Sequence, residues 1–278
     1  MSAPPAVERT PSRTRWACNN VAASLARFAR PVRGGAKPVW RAYGRVTAGA
    51  AVAVVVLVLT MIFIDVAGIR YARQVPAWLL HTFGVATDFG LSGWFLFPLG
   101  FALLLALITV PALSRMNQLV LASISVRLSF LFLAIAVPGL VVAIVKRLVG
   151  RARPLVSGED AFVYKFFLWR VEYASFPSGH ATTAFAAAIA FGVLWPRLRP
   201  LFWAYGIVIA LSRVIVVAHH PSDVLAGAIA GVVGALLVRD WMAARGLGFV
   251  VRPDGTVKPL PGPSFGRIKR VARALPTQ

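Results

Sequence analysis

Three short stretches of the chain carry side chains able to hold an anion or move a proton. In KRLVGRARP (146–154), Lys146, Arg147, Arg151 and Arg153 stand within eight residues, directly after an apolar run. Arginine offers a planar fork and lysine a point charge, so the cluster suits a phosphate group. It would equally serve as a basic collar for lipid headgroups. Lys146, Gly150 and Arg153 are spaced by four and three, which puts them on one face for as long as a helix lasts. Pro154 is expected to end that helix and to extend Arg153.

In FPSGHATTAF (176–185), Pro177-Ser178-Gly179-His180 stands at the mouth of a run of small apolar residues. Gly179 and His180 are expected in a helix's first turn, where backbone N–H groups lack helical partners and the macrodipole is positive. Such a turn accepts an anion. Ser178 adds a hydroxyl, and His180 can donate or take a proton near neutral pH. Ser178 is also a good N-cap, so a simply capped helix accounts for the same residues.

In SRVIVVAHHPSDVLAG (212–227), Arg213 falls late in an apolar run. An ionisable group there is costly and points to function. His219 and Asp223 are spaced by four, which suits a carboxylate bonded to one imidazole nitrogen, leaving the other free to attack. Asp223 also stands where it would cap a helix beginning at Pro221. His220 is read as a bystander. The spacing of Arg213 and His219 does not place them on one helical face, so the helix must end between them.

The elements that carry these stretches are set by composition. The 278 residues are 58% hydrophobic and only 14% charged, too little charge to clothe a soluble domain of this size. Nineteen uncharged residues separate Arg45 from Asp65, 26 separate Asp88 from Arg115, and 18 separate Arg127 from Lys146. A span needs ~20 apolar residues, so these blocks read as transmembrane helices. Residues 181–195, 200–218 and 224–238 are apolar but shorter and complete a six-helix bundle with polar groups facing inward. This is an all-α, multi-pass membrane protein.

Net charge is +21, with 25 Arg against 5 Lys. Nine Lys and Arg fall in 1–46 and eight in 239–278, an excess that puts both termini in the cytoplasm. The connections 66–92, 146–180 and 213–223 then lie outside. One of them, 146–178, breaks the rule with six basic residues. No nucleic-acid motif accompanies the charge. The chain divides into a basic, disordered N-terminal tail (1–46), a membrane domain (47–240) and a flexible, Pro/Gly-rich basic C-terminal tail (241–278). In that last tail FGRIKRVARAL alternates basic and apolar residues, as a surface helix would. Cys18 is the single cysteine, which rules out an intrachain disulfide.

Together, K-x6-R-P at 146–154, P-S-G-H at 177–180 and S-R-x5-H-x3-D at 212–223 resemble the three signature motifs of the type 2 phosphatidic acid phosphatase (PAP2) superfamily. The likeness implies that Lys146, Arg153 and Arg213 clamp the phosphoryl oxygens with Ser178 and the amide of Gly179. It implies His219 as nucleophile, forming a phosphohistidine, and Asp223 as the group that orients it. His180 would protonate the departing alkoxide and then activate water. No cofactor and no metal are expected; phosphoryl transfer is chiefly positioning and charge neutralisation, which three cations supply. The six outer cations then have a reason, as a phosphate site rather than a topology signal.

The expected activity is removal of a terminal phosphate from a membrane lipid: phosphatidate, polyprenyl diphosphate, phosphatidylglycerophosphate or a lipid A phosphate. AFVYKFFLWR (161–170) and VPAWLLHTFGVATDFGLSGW (75–94) have the aromatic character of interfacial segments; the second suits a helix lying in the interface, and both would serve equally as structural anchors. A bacterial inner membrane with the site facing outward fits best. Two other readings stand beside this one. A lipid phosphotransferase would use the same phosphohistidine, and a transporter or binder of phosphorylated lipid would need the cations without a nucleophile and acid.

Overall fold

The computed structural model describes residues 43–108, 115–158 and 160–274, with positions 18, 22, 26 and 29–32. The N-terminal tail thus lies almost wholly outside the described residues. Helix α1 (Tyr43–Phe63) is Val-rich and passes at Ile64 into α2 (Asp65–Ala72), the pair bending by 54°. Pro76 precedes α3 (Ala77–Asp88) and, after a short break, α4 (Gly93–Ile108). Helix α5 (Arg115–Val149) runs 35 residues. The remaining helices are the single turn α6 (Pro154–Ser157), α7 (Gly179–Leu194), α8 (Arg199–Ile215), α9 (Pro221–Ala244) and α10 (Phe265–Ala274).

Four helical units are long and apolar enough to cross a membrane: Ala77–Ala106, Met116–Val149, Pro196–Ile215 and Pro221–Ala244. The bent α1–α2 pair makes a fifth if it is one span. Their outward faces carry bare hydrocarbon, with Val52 62% and Phe97 80% exposed, as lipid-facing surfaces do. The sixth expected span, α7, has 16 residues, about 24 Å of rise against a hydrocarbon core of about 30 Å. Its residues Ala181–Ala188 are all buried, so α7 is the bundle's central post. The segment 75–94 supplies α3, which leads through the break at 89–92 into the same 30-residue unit as α4.

Small residues let the central helices touch. A β-carbon at Gly227 of α9 would lie 2.3 Å from the Ser178 carbonyl oxygen, and one at Gly231 would lie 2.4 Å from that of Thr182. Only hydrogen fits there, so α9 presses backbone to backbone on α7. On another face of α9, Gly234 receives Pro138 of α5. Phe130, Ile135, Ala186, Ala190, Ala235 and Met242 fill the core between α5, α7 and α9.

The stretch after 240, expected as a flexible tail, is folded against the bundle. Helix α9 runs on to Ala244, and a hairpin of β1 (Phe249–Val251) and β2 (Val257–Pro259) follows. The reason is apolar burial: Leu247 and Phe249 enter the core, where the Phe249 ring meets Phe130 edge-on at 4.8 Å. Arg127 of α5 donates to the Leu260 carbonyl at 2.7 Å. Val271 of α10 is buried, and α10 packs on α5.

Candidate active site

The three motif stretches meet at one end of α5, α7 and α9. Helix α5 brings Lys146 in its last turn and stops at Val149. Gly150 then takes a left-handed φ of +59°, and a β-carbon there would fall 1.8 Å from the Lys165 carbonyl oxygen, so only glycine makes this turn. The helix therefore ends before Arg153, and the single helical face expected for Lys146, Gly150 and Arg153 does not form. Pro154 starts α6 rather than closing α5, its fixed φ suiting the first helical position. Arg153 is extended, as expected before proline, and its amide donates to the Glu172 carbonyl at 2.9 Å.

Helix α7 starts at Gly179, with Ser178 at its N-cap. The Ser178 side chain caps nothing: its Oγ is buried and has no partner among the described residues. The Ser178 amide is tied instead to the Asp223 carbonyl at 2.9 Å. A β-carbon at Gly179 would sit 3.1 Å from Lys146 Nζ, so that ammonium lies against the start of α7. Cation and positive helix end repel one another, an arrangement that an anion between them would relieve. His180 follows in the first turn, with Arg213, Lys146 and Arg153 as its charged neighbours and His219 beside it.

Helix α8 ends at Ile215, between Arg213 and His219, as the spacing required. The turn doubles back so that Ala218 and His219 both donate their amides to the Arg213 carbonyl, at 3.1 and 3.2 Å. Val217 is held at φ 55° in this turn, a left-handed conformation that costs a β-branched residue ~1–3 kcal/mol. Arg213 is buried, donates through Nη1 to Thr87 Oγ1 at 2.6 Å, and has an unpartnered Nε. Arg153 Nε is likewise buried and unpartnered.

His219 is buried, with Nδ1 turned towards Asp223 Oδ2 at 3.8 Å. That separation is too long for the direct hydrogen bond expected from the spacing. Ser175 stands between them, its Oγ donating to Asp223 Oδ2 at 2.6 Å and lying 3.4 Å from His219 Nδ1. Asp223 also accepts the His220 amide at 2.9 Å, so it caps α9 and faces His219 at once. Burial, then Arg213 and Arg153, push the His219 imidazole down to about 4 against the pull of Asp223. His219 is therefore neutral at physiological pH, as a nucleophile must be.

Lys146, Arg153, Ser178, Gly179, His180, Arg213, His219 and Asp223 thus converge. Sequence reasoning missed four neighbours: Thr87 behind Arg213, Ser175 beside His219, and Asp65 with Arg151, which are treated below. Arg151 showed only as one cation of the basic cluster, and Asp65 as a lone carboxylate closing an apolar run.

A polytopic helical bundle with a buried cationic cradle and two imidazoles has the architecture of a membrane phosphatase. The family model of the PAP2 superfamily matches residues 127–247. A lipid A 1-phosphatase of Rhizobium johnstonii is 35% identical over 194 residues, 66% of this chain and 76% of that protein. One of Rhizobium etli is 41% identical over 128 residues, 46% of this chain and 55% of that protein. A putative undecaprenyl-diphosphatase of Escherichia coli, YbjG, is 40% identical over 82 residues, 29% of this chain and 41% of that protein. The crystal structure of Aquifex aeolicus LpxE aligns at a TM-score of 0.46 and 22% identity, over 63% of this chain and 93% of that one. The chain belongs to the PAP2 superfamily and is a phosphatase of that type.

Proposed function

We propose that this protein removes a terminal phosphate from a membrane lipid of the lipid A kind, without a metal, through a phosphohistidine on His219. The observation that carries the reading is a set of buried donors without partners. Ser178 Oγ, Arg153 Nε and Arg213 Nε all lack one among the described residues, and each costs about 1–3 kcal/mol if left so. All three belong to residues that the sequence motifs mark as phosphate ligands. A phosphoryl group supplies three acceptor oxygens of matching charge. Favouring lipid A over the other lipid phosphates is the likeness to lipid A 1-phosphatases, which extends over most of one relative's length.

In the proposed reaction, Lys146, Arg153 and Arg213 spread the phosphoryl charge. With Nδ1 towards Asp223, the His219 Nε2 lone pair attacks phosphorus. The P–O bond to the lipid breaks, and His180, held as imidazolium by the bound phosphoryl dianion that offsets the surrounding cations, gives its proton to the departing alkoxide. His180 then takes a proton from water, whose oxygen attacks the phosphohistidine and frees phosphate and neutral His219. A positioned acid of this kind is worth ~10²–10⁴-fold. Around the outer connection, exposed Phe162, Phe166, Phe167 and Trp169 suit an amphiphile whose tails stay in the bilayer. The architecture that goes with this reading has six membrane-crossing or membrane-embedded helices, both termini in the cytoplasm of a bacterial inner membrane, and the site outside.

The test is phosphate release in detergent and EDTA from lipid A 1-phosphate, undecaprenyl diphosphate and phosphatidate. Release by the wild type, preferentially from lipid A and absent in His219→Ala, is the expected result. Loss of release in EDTA, with recovery on adding a divalent metal, would overturn the metal-free mechanism. Preference for the diphosphate would overturn the substrate choice.

A further inference from the structure

Behind the site lies an ion network that the three motifs do not account for. Arg151 is fully buried, and each of its five N–H donors has a partner. Nη1 donates to Asp223 Oδ1 at 2.6 Å and to Ser222 Oγ at 2.7 Å. Nη2 donates to Asp65 Oδ2 and to the Ala161 carbonyl, both at 2.7 Å, and Nε also reaches Ala161, at 3.1 Å. Asp65 in turn accepts the Ser222 amide at 2.8 Å and its hydroxyl at 2.6 Å. Asp65, Ser222 and Asp223 are themselves fully buried.

Such a network is a poor way to gain stability. Desolvating one guanidinium and two carboxylates costs several kcal/mol per ion, and apolar side chains of similar volume often do as well. What it does provide is orientation. One end of the Arg151 fork takes Asp223 Oδ1, and Asp65 with the Ala161 carbonyl takes the other end so that Arg151 cannot turn. Asp223 is left with Oδ2 alone, shared by Ser175 and the His220 amide, to face His219 Nδ1. The three charges also sum to one negative, beside an imidazole that must carry positive charge once phosphorylated.

We propose that Asp65 and Arg151 are positioning residues for the phosphatase reaction, holding the Asp223 carboxylate with one oxygen towards His219. This rests on reading His219 as the nucleophile. Neither residue touches the phosphate cradle, so their loss weakens turnover and leaves phosphate binding alone.

The experiment measures kcat, KM and the inhibition constant of inorganic phosphate for Asp65→Asn and Arg151→Lys, beside wild type and His219→Ala. Asp65→Asn keeps the shape and an acceptor for Ser222, and Arg151→Lys keeps the charge without the fork. Each is expected to lower kcat per folded molecule roughly 10²-fold, the scale of a small misplacement at a reacting centre. KM and the phosphate constant are expected to stay within about threefold. Combining the two substitutions is expected to cost little more than either alone, since both act through Asp223. Full kcat in the folded single variants, or KM and the phosphate constant worsening in step with kcat, would overturn the inference. If Arg151→Lys does not fold, Asp65→Asn alone decides between these results. A wild type that releases no lipid phosphate, or a His219→Ala variant that still does, would sink the underlying reading instead.

Discussion

At Arg213, one guanidinium nitrogen is spent on a threonine hydroxyl while another is left bare for a ligand. In the proposed site, Thr87 thus aims this cation without touching phosphate. A net hydrogen bond is worth ~1 kcal/mol, so Thr87→Val is expected to lower kcat/KM about fivefold, measured on the same lipid phosphate. His219 makes a prediction about pH. Its folded pKa of about 4 lies below the unfolded value of about 6.5, so the folded state binds fewer protons. The stability it contributes is complete above pH ~6.5 and is lost as pH falls through 4. Thermal unfolding temperature should thus fall less steeply between pH 6.5 and 4 in His219→Gln than in wild type, and equal slopes would refute the assignment. The motif residues were legible because their spacing is local. Arg151 was visible only as one more cation, since its partner Asp65 lies 86 residues away and no local pattern joins them. Ser175 and Thr87 are small polar residues of no special sequence character, and their roles come entirely from where the chain places them.

At the scale of elements, glycine decides how near the helices come and hence where the motifs meet. Gly227 and Gly231 set α9 on α7, and the first of them bears directly on the Ser178 carbonyl. Gly227→Ala is therefore expected to displace the start of α7, lowering both melting temperature and kcat/KM, the latter at least tenfold. Gly49 in α1 has nothing within 4 Å of an added β-carbon. Gly49→Ala should be neutral or stabilising by up to ~1 kcal/mol, from helix propensity alone. Equal damage from both would show that helix contact at Gly227 is not what matters. Hydropathy located the bundle's helices well, but it could not tell a lipid-facing span from a buried post: α7 is short, Ala-rich and enclosed, yet reads as apolar like the others. It also missed the stop at Gly150, because a glycine inside an apolar helix is common and only the Lys165 carbonyl beside it makes the turn obligatory.

Across the whole molecule, α5 ties the two ends of the protein together. Its last turn carries Lys146, while Arg127 nearer its start holds the hairpin through the Leu260 carbonyl. The rise between those two cations is roughly 28 Å, close to the ~30 Å of a bilayer's hydrocarbon core. The two cannot then share one face of the membrane. The end with the hairpin and α10 gathers Arg252, Lys258, Arg267, Lys269, Arg270 and Arg273, a positive excess in keeping with the cytoplasmic location proposed for it. On that proposed topology the phosphate site stands at the outer face. Single-cysteine variants on a Cys18→Ser background test this in intact spheroplasts with a membrane-impermeant maleimide. Arg170→Cys, on the outer connection and exposed, is expected to react at once. Ser264→Cys, just before α10, is expected to react only after permeabilisation. The opposite pattern would place the site in the cytoplasm, and the substrate would then have to be a lipid of the inner leaflet.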